Sequence, residues 1–215
     1  MDYDERVISA TNMNKEIIKQ ALDEIASHDK DVKVGLKLVG YPPPRIRPIG
    51  FETLFSIVVS QQLSTHAAAA IMNRAKELLP TLEPQAVLDL PEGALREIGL
   101  SHRKVEYTTG LSQAILSGSF KPEALEQLDN DAVKKEIIAL KGFGPWSAEI
   151  YLMFSLQRQD IFPSGDLALL VALQKLKGLN EKPNPELAQK LIAHWSPWRT
   201  AGSLFLWHYY HGAPT

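Results

Sequence analysis

The chain contains no cysteine, so the sequence excludes disulfide bonds, zinc–thiolate sites and iron–sulfur clusters held by thiolates. Long apolar runs are also missing, because no stretch approaches the roughly 20 residues that a membrane-spanning helix needs. Residues 1–5 include three acidic side chains and have none of the apolar core of a secretion signal. We therefore expect an intracellular protein with no membrane partner.

An excess of positive charge is missing as well, since 23 lysines and arginines face 25 aspartates and glutamates. This balance argues weakly against a nucleic-acid partner, because proteins that bind nucleic acids usually have a basic excess. Only the contacting face must be positive, however, so the distribution of charge matters more than its total. The side chains that could form such a face are Arg45, Arg47, Arg103, Lys104, Lys141 and Arg199.

Alternating patterns of apolar and polar residues, which are typical of strands, do not occur at a useful length, and apolar residues recur at helical spacing instead. The 215 residues, 45% of them hydrophobic, suit one domain or two closely associated halves. We therefore predict an all-α fold, with a stiff proline-rich segment at 40–44 after the first helix. The predicted helices include 12–27, 51–58, 65–79, 102–116, 167–176, 186–194 and 198–211.

The most informative stretch is 140–148, where Gly142 and Gly144 lie between two helical patterns. A connection this short needs backbone angles that glycine adopts most easily, and Pro145 suits the first turn of the second helix. The amides of Gly142, Phe143 and Gly144 would then point outward beside a helix N-terminus, where a phosphate can bind. An ordinary helix–turn–helix corner explains the glycine spacing equally well.

Residues 140–148 and the later Asp166 together resemble the helix-hairpin-helix DNA glycosylases of the HhH-GPD superfamily. That family has a hairpin of the form Leu-x-Gly-φ-Gly-x-x-(Ser/Thr)-Ala, where φ is apolar, followed by a catalytic aspartate. The matching hairpin residues are Leu140, Gly142, Gly144, Ser147 and Ala148. Within the family, the chain is most similar to the alkylation-repair branch of 3-methyladenine DNA glycosylase II type.

The resemblance implies one glycosylase unit over 1–215, built from two helical subdomains that flank a DNA-binding cleft. Residues 50–163 are expected to form the central subdomain, and 1–49 together with 164–215 the second. Other branches of the family carry four cysteines for an iron–sulfur cluster, and this chain has none. Apart from a bound Na⁺ or K⁺, we expect no cofactor.

Asp166 has two compatible interpretations. It suits the N-cap of the helix that follows, and a helix N-terminus favours a carboxylate. The resemblance implies that it is also the catalytic residue, which stabilises an oxocarbenium-like sugar or orients water towards C1′. Bifunctional members carry a nucleophilic lysine at the position of Trp146, so the resemblance implies a monofunctional hydrolase here.

Trp146 and Trp207 match aromatic positions of the alkylation-repair branch and are therefore candidates for a base pocket, with Tyr151 as a weaker one. An electron-rich indole attracts a cationic base, such as a purine methylated at N3 or N7, by roughly 0.5 to 2 kcal/mol. Both tryptophans can also be core residues, and the sequence alone leaves this alternative open.

The run Gln61-Gln62-Leu63-Ser64 resembles the family's Gln-Gln-φ-Ser signature. The resemblance implies a loop that enters the minor groove and fills the gap left by an extruded nucleotide, with Gln62 or Leu63 as the plug and Gln61 beside it. A solvated junction between two helices is the alternative. Ser64 or Thr65 should cap the next helix, and both are candidate phosphate ligands.

Further phosphate contacts are expected from Arg103 and Lys104, which follow a predicted cap at Ser101, and from Lys141 in the hairpin. Solvated surface charges explain the first two equally well. The family hairpin can also hold a monovalent cation through backbone carbonyls. The corresponding carbonyls here are those of Ile138, Leu140 and Phe143.

Together these features predict a monofunctional DNA glycosylase that flips and excises alkylated purines such as 3-methyladenine and 7-methylguanine and so initiates base excision repair. Its partner would be double-stranded DNA containing alkylated bases, and the protein would act as a monomer. Such a protein would lie in the cytoplasm with the nucleoid if bacterial, or in the nucleus if eukaryotic. The alternatives are a glycosylase for hypoxanthine or ethenoadenine, and a non-catalytic protein that binds damaged DNA.

Overall fold

The computed structural model describes residues 12–79 and 81–212, and every regular element within this part is a helix. The all-α prediction is therefore confirmed. The acidic residues 1–5 lie outside the described residues. Among the helices of this part, none combines the length and the apolar character needed to span a membrane.

Twelve α-helices and two short 3₁₀ segments make up the described chain. The α-helices are α1 (Lys15–His28), α2 (Lys30–Val39), α3 (Phe51–Ser60), α4 (Thr65–Leu78), α5 (Pro84–Leu88), α6 (Ala94–Glu97), α7 (His102–Leu116), α8 (Asn130–Ile138), α9 (Pro145–Phe154), α10 (Leu167–Lys177), α11 (Pro185–Leu191) and α12 (Arg199–Gly212). The 3₁₀ segments are Pro122–Gln127 and Ala193–Trp195, so the single helix predicted for 186–194 is divided in two.

The described chain separates into two compact units, one formed by 12–46 with 152–212 and the other by 47–151. We refer to them as the terminal unit and the central unit. The predicted central subdomain, 50–163, begins close to the observed boundary but ends twelve residues later than the observed one. The second boundary lies inside α9.

Residues after α9 belong to the terminal unit because they bond to the start of α12. The Thr200 amide donates to the Gln159 carbonyl at 2.9 Å, and the Ile161 amide donates to the Thr200 hydroxyl at 3.1 Å. Sequence periodicity carries no information about these bonds, since the residues are about forty positions apart.

The terminal unit has an apolar core from α1, α2, α10 and α12. Ile18, Leu22 and Phe205 are fully buried within it. Gly35 lets α2 approach α12 closely, because a Cβ at this position would lie 2.7 Å from the ring of Phe205. This packing supports α10, the helix that begins directly after Asp166.

A buried carboxylate ties α10 to the first two helices. Asp29, 4% exposed, caps α2 and accepts hydrogen bonds at 2.7 Å from both Lys177 at the end of α10 and the indole of Trp195. Burial alone would raise the pKa of Asp29, but these bonds and one from His194 hold it well below its usual range. The far end of α10 is therefore held by charge-assisted bonds.

The central unit is built around α3, which is apolar along most of its length and buried from Phe51 to Val59 except at Glu52 and Ser56. Helix α7 packs against both α3 and α5. Tyr151 closes this core from α9, since its side chain is fully buried and its phenol oxygen accepts the Gly50 amide at 3.0 Å. The central unit thus holds its helices by apolar packing with a few buried polar bonds.

Candidate functional site

Asp166 lies at the N-terminus of α10, as its sequence position predicts. Its Oδ1 accepts the Leu169 amide at 3.0 Å, which confirms the cap, and also the indole Nε1–H of Trp207 at 3.2 Å. The Asp166 amide donates to the Pro163 carbonyl at 2.9 Å, which closes the turn before the helix. The carboxylate is half-buried and fixed in orientation by its own helix and by a tryptophan from α12.

Trp207 is 7% exposed and packs its ring against Phe154 at 5.8 Å between centroids. The guanidinium of Arg45 lies 5.4 Å from the centre of the indole, within the range of a cation–π contact. Arg45 follows the proline-rich segment predicted at 40–44, which contains no helix. One face of Trp207, predicted to receive a cationic base, therefore already contacts a cation in this structure.

The Asp166 carboxylate also acts on Arg45. Loss of water around the guanidinium lowers the pKa of Arg45, and the charge of Asp166 opposes that change. An arginine stays charged under either influence. Arg45, Trp207 and Asp166 thus form a polar cluster in the terminal unit, which we call the aspartate cluster. From the sequence, Arg45 was predicted only as one of several side chains that could form a basic face.

The predicted hairpin between α8 and α9 is present, but its two glycines have different roles. Gly142 has φ +89°, and a Cβ there would lie 2.2 Å from the ring of Tyr107. Gly144 is not among the residues with positive φ, and a Cβ there would meet no atom within 4 Å. The requirement for glycine is therefore confirmed at Gly142, while for Gly144 the predicted need for a glycine-only backbone angle was wrong.

The amides of the hairpin differ in the same way. The Phe143 amide donates to the Leu140 carbonyl at 3.1 Å and its ring is buried, so the prediction that this amide points outward was wrong. A tight turn uses this bond to reverse the chain. Within the described residues, neither the Gly142 amide nor the Gly144 amide donates to a protein acceptor. These two amides remain suited to a phosphate.

Lys141, at the start of the hairpin, is exposed and forms an ion pair with Glu106 of α7. The hydrogen bond to Glu106 and its charge raise the pKa of Lys141. Exposed ion pairs contribute little to stability, so a phosphate can replace Glu106 at small cost. The predicted phosphate contact of Lys141 therefore stays a prediction that the geometry permits.

The three carbonyls predicted to hold Na⁺ or K⁺ differ in their bonding. The Leu140 carbonyl accepts the Phe143 amide, which leaves one lone pair, and no amide of the described residues bonds the carbonyls of Ile138 and Phe143 in the loop. Neutral carbonyl oxygens suit a monovalent cation, so the donors fit. No group of three or more histidine or acidic side chains in the described part forms a metal site.

The predicted plug lies on the turn between α3 and α4. Gln62 is exposed and has φ +57°, a left-handed conformation uncommon outside glycine, and Leu63 is 40% exposed. Both side chains stay candidates for the plug. Gln61 is different, because its Nε2 donates to the Gly142 carbonyl at 2.9 Å and to the Ser147 hydroxyl at 3.2 Å. These bonds fix the Gln61 side chain beside the plug, and its role in the minor groove stays a prediction.

The basic and hydroxyl residues near this turn fall into two groups. Ser64 caps α4 by accepting the Ala67 amide at 3.2 Å, and Thr65 and Arg103 are exposed, so all three stay phosphate candidates. Lys104 differs from these three, because its ammonium donates to the Val59 carbonyl at 2.7 Å and to the Gln61 carbonyl at 2.8 Å. Its predicted phosphate contact stays a prediction. Burial lowers the pKa of Lys104.

Arg199, another residue of the predicted basic face, is paired with an acidic side chain. Its guanidinium forms a two-bond ion pair with Asp160, at 2.6 and 2.7 Å. This pair fixes the start of α12 in the terminal unit. The predicted cap at Ser101, by contrast, is confirmed, since its hydroxyl accepts the Lys104 amide at 3.3 Å.

The aromatic residues of α9 also separate. Trp146 is half-buried, and its place in a base pocket remains a prediction. Tyr151 is fully buried, and burial raises its pKa to about 12. The side chain completes the core of the central unit, and its weaker assignment to the base pocket stays a prediction. An aromatic residue in an apolar helix gives no sequence signal that separates these two outcomes.

Sequence reasoning missed Glu149, which lies three positions after Trp146 on α9. Burial raises the pKa of this carboxyl to about 7, with Lys134 opposing the shift. Its position between two apolar residues, Ala148 and Ile150, was the available signal. The carboxyl is protonated more readily in the folded protein than in the unfolded chain, so its ionisation couples to stability.

We expect Glu149→Gln to stabilise the protein at pH 8 but not at pH 5. The folded-state pKa is raised, so the stability linked to the protonated form is fully present below about pH 4.5 and is lost as pH rises through about 7. Glutamine stays neutral at both pH values, so the variant should gain roughly 1 to 3 kcal/mol in the free energy of unfolding at pH 8. The measurement is Tm at both pH values, with Glu136→Gln at an exposed position of α8 as the control. Equal gains at both pH values would contradict the assignment.

Comparison with known proteins agrees with this geometry. Residues 55–197 match the model of the HhH-GPD superfamily of base excision DNA repair proteins. DNA-3-methyladenine glycosylase 1 of Schizosaccharomyces pombe is 32% identical over 216 residues, which covers 96% of this chain and 92% of that protein. The chain therefore belongs to the HhH-GPD superfamily, and its predicted place in the alkylation-repair branch is confirmed.

Solved structures show the same relationship. A 3-methyladenine DNA glycosylase from Schizosaccharomyces pombe in complex with abasic DNA superposes with a TM-score of 0.82 at 32% identity, covering 87% of this chain and 95% of that one. A DNA-3-methyladenine glycosidase from Bacillus halodurans superposes with a TM-score of 0.72 at 30% identity, covering 89% of each chain. The first of these structures is a complex with DNA, and this likeness supports DNA as the partner of this chain.

Proposed function

We propose that this protein is a monofunctional DNA glycosylase that hydrolyses the N-glycosidic bond of alkylated purines in duplex DNA, of the 3-methyladenine and 7-methylguanine type. The observation that carries the proposal is the aspartate cluster. Asp166 is held by the N-terminus of α10 and by the indole of Trp207, so its carboxylate is oriented before substrate binds. Relatives over nearly the whole chain carry the name DNA-3-methyladenine glycosylase.

The chemistry that this cluster suits is stabilisation of positive charge. A purine methylated at N3 or N7 is cationic and leaves readily, so the enzyme has to extrude it and support the developing oxocarbenium-like sugar. A carboxylate fixed by protein donors stabilises that charge without reorganising and can orient water towards C1′. Extrusion costs a few kcal/mol, which the plug and the phosphate contacts offset.

The two DNA-binding elements of the central unit supply those interactions. The Gly142 and Gly144 amides, with Lys141, Ser64 and Arg103 as further contacts, bind phosphates. Gln62 or Leu63 fills the vacated position in the stack. These contacts do not depend on sequence, so the enzyme binds undamaged DNA and searches it.

The test is release of free base from duplex DNA treated with a methylating agent, with the products identified by mass. We expect 3-methyladenine and 7-methylguanine in the supernatant and abasic sites in the DNA. Binding of the duplex without release of any base would overturn the enzymatic proposal and favour a non-catalytic protein that binds damaged DNA.

A second candidate is excision of a neutral purine lesion such as hypoxanthine or ethenoadenine. The observation that favours it is Arg45, whose guanidinium lies 5.4 Å from the centre of the Trp207 ring. A cationic base on the same ring would meet a like charge, whereas a neutral base would not. Duplexes that contain one defined lesion each separate the two candidates by their single-turnover rates.

We expect the enzyme to leave an intact abasic strand. Schiff-base chemistry needs an amine at the sugar C1′, and the hairpin position that carries lysine in bifunctional relatives holds Trp146 here. Borohydride added during turnover should therefore trap no covalent complex with DNA, and a bifunctional glycosylase in parallel is the positive control. A trapped complex that is lost when one particular lysine is substituted would show that the protein is a lyase.

We also propose that the protein acts as a monomer inside the cell, in the cytoplasm with the nucleoid if bacterial or in the nucleus if eukaryotic. The repair function supports this location, because the substrate is cellular DNA. Light scattering of the free protein and of its complex with a short duplex would measure the oligomeric state. A dimer in both would contradict the proposal.

A further inference from the structure

Lys104 of α7 holds the turn that carries the predicted plug. The last carbonyls of an α-helix have no partner within the helix and favour a nearby cation. At the end of α3 this cation is the Lys104 ammonium, which lies 2.7 Å from the Val59 carbonyl and 2.8 Å from the Gln61 carbonyl. Gln62 follows directly after the second of these carbonyls.

Gln61, which belongs to this turn, attaches it to a second element. Both amide hydrogens of its side chain are used, one towards the Gly142 carbonyl and one towards the Ser147 hydroxyl. Gly142 belongs to the hairpin, and Ser147 to the first turn of α9, where it is buried. A single side chain therefore connects the plug turn to the phosphate-binding hairpin, across more than eighty residues of sequence.

Helix α7 completes this arrangement on the hairpin side. The ring of Tyr107 occupies the space that a side chain at Gly142 would need. Glu106, its neighbour on the same helix, pairs with Lys141 of the hairpin. Three residues within one turn of α7 thus contact the two elements, Lys104 at the plug turn and Glu106 and Tyr107 at the hairpin.

We propose that Gln61 and Lys104 are positioning residues that join the plug turn and the hairpin into one rigid unit, so that phosphate binding at the hairpin places Gln62 for insertion. The proposal rests on the proposed glycosylase function and assigns neither residue a contact with DNA. It explains why Gln62 persists at φ +57°. This conformation costs free energy, and the bonds of the neighbouring residues offset that cost.

The test compares Gln61→Met and Lys104→Met with matched controls. Methionine keeps the length of each side chain and removes the donors. Gln113→Met and Lys121→Met make the same chemical changes at exposed positions of α7 and of the loop after it. The probe is a duplex that holds an abasic-site analogue beside 2-aminopurine, whose emission rises when a plug displaces it from the stack.

Both positioning variants should lose at least half of the emission change and about tenfold or more in single-turnover base release, the scale of one or two lost hydrogen bonds. Affinity for undamaged duplex should stay within about threefold, because the hairpin amides and Lys141 are unchanged. The two controls should match the wild type. Lys104→Arg should recover part of the loss, since a guanidinium can also donate to two carbonyls.

A double-variant cycle separates positioning from a general structural role. If Gln61 acts through Gln62, then Gln61→Met should cost little in a protein that already carries Gln62→Ala. Additive losses, or equal losses of undamaged-duplex affinity and emission, would overturn the proposal. The emission measurement needs no turnover, so a wild type that releases no base would disprove the glycosylase function and still leave this inference tested.

Discussion

Asp166→Asn should lower single-turnover base release by at least about a hundredfold, the scale on which a fixed electrostatic group acts in catalysis. The substitution preserves size and keeps an oxygen that can accept the Leu169 amide and the Trp207 indole, so α10 retains its cap. It removes the negative charge that stabilises the positive charge developing on the sugar. The measurement is excision from duplexes with a single defined lesion, under enzyme excess.

Asp129→Asn is the matched control, because Asp129 is also an aspartate that caps a helix, at the start of α8, and is exposed. We expect that variant to turn over like the wild type. Binding of Asp166→Asn to duplex with an abasic-site analogue should be unchanged or tighter, since an anion near phosphates is gone. Turnover by Asp166→Asn within a fewfold of wild type would show that another group supplies the catalysis.

Asp166 could be predicted from the sequence because its two roles use local information, a cap position and a motif at a fixed distance. Its partners could not be predicted in the same way. Trp207 is 41 residues further along the chain, and Arg45 lies more than a hundred residues before it. Helical periodicity shows which face of an element is apolar but not which distant side chain meets it.

The same limit explains why the sequence did not show the contacts that Lys104 and Gln61 make in the fold. Lys104 and Arg103 are adjacent basic residues at the start of one helix, and no local property shows that the first bonds two carbonyls while the second stays exposed. Gln61 and Gln62 are identical neighbours with opposite environments. A left-handed residue at Gln62 turns the chain, so the two side chains leave it in different directions.

The hairpin was predicted better, because tight turns impose strong local constraints. The need for a positive φ at Gly142 follows from the shortness of the connection, and the structure confirms it. What the sequence did not show is the second constraint, the Tyr107 ring against the Cα of that glycine. Only the fold brings α7 to this point.

Gly142→Ala should therefore have the largest effect on DNA binding. The new Cβ would lie 2.2 Å from the Cγ and Cδ2 atoms of Tyr107, far inside contact distance, and φ +89° is unfavourable for alanine. The hairpin has to shift to relieve both, so we expect a loss of roughly 2 to 4 kcal/mol in the free energy of unfolding. The measurement is denaturant unfolding together with affinity for short duplexes.

Affinity for undamaged and damaged duplex should fall alike, by about tenfold or more, because the hairpin amides bind phosphate and read no base. Gly144→Ala separates binding from folding, since a Cβ there meets no protein atom within 4 Å and its backbone is not in the left-handed region. That variant should unfold like the wild type yet bind duplex more weakly and with a smaller salt dependence, because its methyl group stands beside an amide that a phosphate approaches closely. Unchanged affinity in a fully folded Gly144→Ala protein would mean that the hairpin is only a corner between α8 and α9.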